Sequence, residues 1–209
     1  MINQNSKIHS LFPTPIYVGK RDSNLIDKEA EEIKEIFKEG VHKNISNSTT
    51  DNSYIFNERL KELKQFCEQQ LKIYVKEIIN PKEELDLYIT QSWLNITKPG
   101  EYHHEHSHAN SIISGVFYIH TEEGDCITFG DPNFKIKEVV KFNVEFITWN
   151  SAYCSVPSYK NELLLFPSWL DHQVHPNINA TTNRISISFN TFVRGVLGRE
   201  EDLYKLVLK

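Results

Sequence analysis

Tyr102-His103-His104-Glu105-His106-Ser107-His108 is the stretch on which the fold and chemistry of this chain turn. Its counterpart lies about 65 residues on: Phe166-Pro167-Ser168-Trp169-Leu170-Asp171-His172, followed by Arg184-Ile185-Ser186. On a strand, residues two apart share a face, so His104, His106 and His108 fall on one side and His103 and Glu105 on the other. Neutral imidazole is a ligand for Fe, Zn, Cu and Ni. Two ligands on one strand hold a metal poorly, and His172 is the natural third. It follows the apolar run Leu163–Phe166 and the turn that Pro167 opens. His175 is a weaker third ligand, being three residues further and next to Pro176. Arg184 opens an alternating strand on which Arg184, Ser186, Ser188 and Asn190 share a face. A guanidinium facing inward is costly unless it meets an anion, and its fork suits a carboxylate. Ser186 can add a hydroxyl hydrogen bond. The competing reading of Arg184 is a structural salt bridge with an internal acid.

Around this pair the periodicity changes once. Before residue 84 the patterns are helical. Asp27–Lys38 places Ile33, Ile36 and Phe37 on one face, with Asp27 as N-cap and Gly40 as terminator. Asn57–Ile79 aligns Leu60, Leu63, Phe66, Cys67, Tyr74 and Ile78, and Asn80-Pro81 stops it. Residues 11–19, with two prolines in Phe12–Pro15, suit an edge strand. The Asn/Ser/Thr-rich 43–53 reads as a loop. From Leu85 onward the period is two. Strands are expected at Glu101–His108, Ile112–His120, Asp125–Phe129, Lys135–Lys141, Glu162–Phe166 and Arg184–Val193, separated by Gly/Pro/Asn turns. Helices followed by many short strands predict a mainly β fold with a helical layer: a jelly roll whose N-terminal helices pack on the sheet. One domain over 1–209 is expected: a mostly helical part over 1–84, a β core over 85–195 and a tail over 196–209.

Composition sets outer limits. With 39% apolar residues among 209 the chain can bury a core. Its net charge of −5, without a basic block, argues against broad nucleic-acid binding. No apolar run is long enough for a membrane span, and the polar N-terminus lacks a signal-peptide core, so a cytoplasmic location is expected. Cys67, Cys126 and Cys154 form no CxxC pair and read as ordinary thiols. The Asn-X-Ser/Thr triplets at Asn44, Asn95 and Asn179 read as chance matches in a protein without a secretion signal. Asp131 reads as a turn residue, Trp149 and Trp169 as core or pocket walls, and Asp171 as either a partner for an imidazole N–H or a surface residue. Residues 143–160 are irregular and aromatic, suiting either a lid or a surface loop.

A histidine pair on one strand, a distal histidine and then Arg-X-Ser resemble the 2-oxoglutarate/Fe(II)-dependent oxygenase superfamily. The strand Gly115–Ile119 looks like the tyrosine-bearing strand of its prolyl 4-hydroxylase-like members. More closely, Phe12–Pro15, His106–His108, Ser114–Tyr118, Phe166–His172 and Arg184–Asn190 resemble the motifs of an oxygenase family of marine bacteria and phages. The resemblance covers most of the chain. It implies a double-stranded β-helix, the cupin-like jelly roll, holding Fe(II), with 2-oxoglutarate as a small-molecule cosubstrate. It further implies oxidative decarboxylation to succinate and CO2 coupled to substrate oxidation, most often a hydroxylation, and a homodimer as a common assembly. His106 and His172 would be iron ligands; Arg184, Ser186 and Tyr118 would hold the distal carboxylate. Asn95 is a further candidate to face the cosubstrate.

One position departs from the superfamily. Where His-X-Asp or His-X-Glu is usual, this chain has His108. Three ligand sets compete: His106, His108 and His172; a shifted register using His104 and His106; and His103 with Glu105 on the opposite face. The first keeps the spacing to Ser114-Gly115. Two further functions stand beside the oxygenase: a cupin-like three-histidine metalloenzyme that does not use 2-oxoglutarate, and a non-enzymatic metal-binding β-sandwich.

Overall fold

A computed structural model describes residues 7–22, 27–133, 145, 147 and 149–208. Two antiparallel sheets face one another. The strands are β1 (Tyr17–Lys20), β2 (Val41–Lys43), β3 (Ser48–Thr50), β4 (Leu85–Thr97), β5 (His103–His106), β6 (Ile113–His120), β7 (Cys126–Gly130), β8 (Tyr153–Pro157), β9 (Glu162–Pro167), β10 (His172–Val174), β11 (Arg184–Leu197) and β12 (Leu206–Leu208). The large sheet runs β1-β9-β6-β11-β4-β3-β2, with β12 added on β11; the small sheet runs β5-β10-β7-β8. This is the expected mainly β architecture, with β1 at an edge. The strand expected at Lys135–Lys141 lies outside the described residues.

The central strands of the large sheet are buried on both faces. Along β6, Phe117 and Ile119 point one way and Val116 and Tyr118 the other; along β9, Leu163 and Leu165 oppose Leu164 and Phe166. The first set joins Ile187 and Phe189 in a core closed by Ile33, Ile36, Leu63, Cys67, Leu71 and Tyr74 of the helices. The second meets Ile127 and Phe129 of the small sheet and Leu170. Continuous apolar runs are the signature of strands covered on both sides. Gly115 belongs to this packing: a Cβ there would enter the ring of Phe189.

The helices are α1 (Asp27–Glu39), α2 (Ile55–Glu58), α3 (Lys61–Tyr74) and a π-helical turn at Val75–Ile79. Gly40, at φ 151°, ends α1. The single helix expected over Asn57–Ile79 is broken at Leu60, which adopts a left-handed φ of 51°. Its amide donates to the Glu32 carboxylate at 2.6 Å, and its side chain is buried. No glycine or proline marks that break. The π turn shifts the phase, so Ile78 leaves the buried face. No helix among the described residues is long and apolar enough to cross a membrane.

Two segments differ further from expectation. Residues 43–53, read as a loop, contain β3, which pairs with β4 and carries β2. Its side chains are polar and satisfy one another: Thr49 Oγ1 donates to Asn95 Oδ1 at 2.9 Å, and Thr50 Oγ1 accepts from the Leu94 amide. No apolar alternation betrays such a strand. Within 143–160, Tyr153–Pro157 is the strand β8, paired to β7.

Candidate metal centre and anion pocket

The open end of the sandwich collects side chains from both sheets. β10 pairs with β5 and β7, bringing His172 opposite His106 and Phe129. The β5–β10 register slips: His172 faces His106 but Val174 faces His103. Three steps along β5 match two along β10, the extra residue of a β-bulge, which re-aims side chains. The alternation expected along this strand therefore fails. His103 does not point away from His106; their rings stack at 4.5 Å and 23°. Glu105 is exposed, with Gln173 as its partner, and belongs to neither histidine group.

Two sets of three histidines lie with their ligand atoms within 4.8 Å of one another: His106, His108 and His172, and His103, His104 and His106. Local hydrogen bonds prepare the first. Nδ1 of His172 donates to Leu170 O at 3.0 Å, and Nδ1 of His106 to His104 O at 2.8 Å. Each places the lone pair on Nε2, the arrangement in which a second partner fixes the tautomer of a ligating imidazole. His108 Nε2 stands 3.3 Å from His172 Nε2, with the rings parallel to 3°. Nitrogens about 2.0–2.1 Å from one metal and at right angles lie about 3 Å apart. The first group thus fits a single transition-metal ion. The backbone holds His108 as well: its amide donates to Ser168 O at 2.9 Å. The hydroxyl of Ser168 meets Ser114 at 2.8 Å and Ser111 at 2.7 Å.

Burial keeps the cluster uncharged. It pushes His172 down to about 3, with His106, His108 and His103 adding repulsion. It pushes His108 down to about 4, with His106 adding to it. His103 goes to about 3, through burial, its neighbours His106 and His104, and Arg184. His106 is also lowered, mainly by burial. Neutral imidazole is the ligating form.

Beside the histidines, β11 lies between β4 and β6. Arg184 pairs with Thr97, Ser186 with Asn95 and Tyr118, and Ser188 with Trp93 and Val116. These residues line one cleft with the histidines. The Arg184 side chain is buried; its Nη2 donates to Thr97 Oγ1 at 3.1 Å. Among the described residues no carboxylate pairs with it, so the internal salt bridge considered for it is not found there. A buried guanidinium facing a polar cleft is a receptor for an anion. Tyr118 is buried, which raises its hydroxyl pKa, with Arg184 acting in the opposite direction. Asn95 already engages Thr49 and, at 3.0 Å, Ser188.

Several residues fall elsewhere than expected. Trp149 and Trp169 are more than half exposed and belong to neither hydrophobic core. In the turn after β9 the inward positions go to Ser168 and Leu170, leaving Trp169 outside. Trp93 takes the aromatic role, stacking on His108 at 5.9 Å. Only the β4–β11 register puts it there. Asn47 was also missed. It is buried in the cleft lining with both amide atoms unpartnered, and it belongs to the polar segment read as a loop. Asp131 is a turn residue: its carboxylate accepts from the Asn133 amide. His175 lies in neither histidine group.

Residues 91–190 match the family model described as "Putative 2OG-Fe(II) oxygenase". That match spans 100 of the 209 residues, over which the chain is similar to 2-oxoglutarate/Fe(II)-dependent oxygenases. No sequence match is found among curated proteins. Solved structures share the fold. The prolyl-4-hydroxylase of Pseudomonas putida is 13% identical, over 85% of this chain and 92% of that one, with a TM-score of 0.53. HygX of Streptomyces hygroscopicus, bound to nickel, 2-oxoglutarate and hygromycin B, is 9% identical over 85% and 82%, at 0.55. The viral collagen prolyl hydroxylase of Paramecium Bursaria Chlorella virus-1, a 2-oxoglutarate complex, is 14% identical over 84% and 94%, at 0.51. The oxygenase cofactors are Fe(II) and 2-oxoglutarate, and a histidine triad here could hold the iron.

Proposed function

We propose that this oxygenase hydroxylates its substrate while converting 2-oxoglutarate to succinate and CO2, with His106, His108 and His172 as the iron ligands. The observation that carries the ligand set is the convergence of His108 and His172 through Nε2 at 3.3 Å, with His106 Nε2 left free beside them. Bound iron supplies the oxygen activation. The chain's own residues supply the rest. Arg184 pairs with the distal carboxylate of the cosubstrate, and Ser186, two residues along β11, and Tyr118, the partner of Ser186 on β6, donate hydroxyl hydrogen bonds. Asn95 braces that row through Ser188. The apolar walls of Trp93, Val116 and Phe166 exclude water from the reacting end.

Three imidazoles leave the charge of Fe(II) uncompensated where a carboxylate would cancel part of it. Such a centre holds a dianionic cosubstrate well but yields an electron to oxygen reluctantly. Basal succinate formation is therefore slow, and His108→Asp accelerates it. Succinate measured under air with Fe(II) and 2-oxoglutarate tests this. An unchanged rate in a variant that still binds iron removes His108 from the ligand set.

A further inference from the structure

We infer that His103, His104 and His106 form a second seat for a late divalent transition metal, one that competes with the first triad for His106. The β5 bulge creates it, bringing three imidazoles of one short strand together. Their ring centroids stand 4.5, 5.1 and 5.2 Å apart, and one ligand nitrogen from each lies within 4.8 Å of the others. One further observation points to a ligand. Nδ1 of His104 is buried with no hydrogen-bond partner, a state that a buried polar atom rarely tolerates. Nε2 of His103 is approached at 3.1 Å by the Asn44 side-chain amide. That amide's oxygen already accepts from the Ile45 N–H, so its N–H group donates to the His103 lone pair, and an ion seated on His103 displaces that amide.

His106 decides the relation between the two seats. Its Nδ1 proton is committed to His104 O, so it has one lone pair and can serve one metal. An ion seated on His103, His104 and His106 removes a ligand from the other group. Imidazole-only sites bind Ni2+, Cu2+ and Zn2+ more tightly than Fe2+, so these ions would fill the second seat and weaken the first. Competition with iron rests on the proposed ligand set; existence of the second seat does not.

The test is Ni2+ binding, by equilibrium dialysis of the full chain, to the paired variant His108→Ala/His172→Ala. His108→Asn/His172→Asn, which keeps polar side chains in the cleft, replaces it where the alanine pair does not fold. One Ni2+ per chain is expected, lost when His103→Ala and His104→Ala are added. Absence of binding in the folded paired variant overturns the proposal, as does binding that survives removal of His103 and His104. In the wild type, excess Ni2+ should dim the visible band of the anaerobic Fe(II)–2-oxoglutarate complex more than in His104→Ala. If that complex gives no band while the paired variant still binds Ni2+, the oxygenase ligand set fails and the second seat stands.

Discussion

His108 and His172 meet through Nε2 at 3.3 Å, a contact that either a shared imidazole proton or a bound cation bridges. Uptake of an additional proton is disfavoured, since burial and mutual repulsion push His172 to about 3 and His108 to about 4. The unfolded chain titrates its histidines near 6.5. Between roughly 6.5 and those lower values the unfolded state binds more protons. These groups therefore make the metal-free protein lose stability as pH falls through that window and leave it unaffected above it. Thermal unfolding of the metal-free protein should show a midpoint falling from about pH 7 to about pH 5, and falling less in His172→Gln. An equal fall in the variant would show that His172 does not set the dependence. Arg184 is the second decisive residue. Losing one charge-assisted bidentate contact costs about 1.5–3 kcal/mol, so Arg184→Ala should weaken 2-oxoglutarate roughly 10- to 100-fold while iron affinity holds. Calorimetric titration reads both. The identities of these residues were plain in the chain because histidine clusters and inward arginines are chemically rare. What Arg184 meets depended on long-range register, which no local pattern carries.

Among the elements, β5 shows most clearly where reading stops. Regular alternation put His103 and His106 on opposite faces, and one extra residue against β10 puts them together. A bulge has no residue signature here, because it arises from how His172–Val174 must pair with both β5 and β7. The polar β3 strand, the break at Leu60 and the three-residue β10 escaped for related reasons. Side-chain pairing, a carboxylate from another helix and a neighbouring strand set them, and local propensity did not. Strands covered on both faces were legible, since Gly115–Ile119 and Leu163–Phe166 are unbroken apolar runs. Gly115 tests that packing: Gly115→Ala presses a methyl into Phe189 and should cost about 1–3 kcal/mol. A denaturation midpoint equal to wild type would mean that the ring moves aside freely.

At the scale of the molecule, one sheet serves two cores. Its outer face, with the helices, buries Phe117, Ile187, Phe189 and Leu165 and fixes where β4, β6 and β11 lie. Its inner face spends the same strands on chemistry, carrying Trp93, Asn95, Tyr118, Arg184 and Ser186 toward the histidines of the smaller sheet. The ion pair Arg21–Glu29, at 2.9 Å and nearly fully buried, ties the start of α1 to the end of β1. Removing one partner of such a pair costs about 3–5 kcal/mol, so Glu29→Ala should lower the thermal midpoint without changing the cosubstrate requirement at temperatures where it remains folded. The proposed function draws on the inner face. Anaerobic addition of Fe(II) and then 2-oxoglutarate to the metal-free protein tests it most directly. A visible metal-to-ligand charge-transfer band should appear in the wild type and vanish in His172→Ala and Arg184→Ala. Tight iron binding without that band would contradict cosubstrate chelation at this centre and leave Arg184 a structural residue.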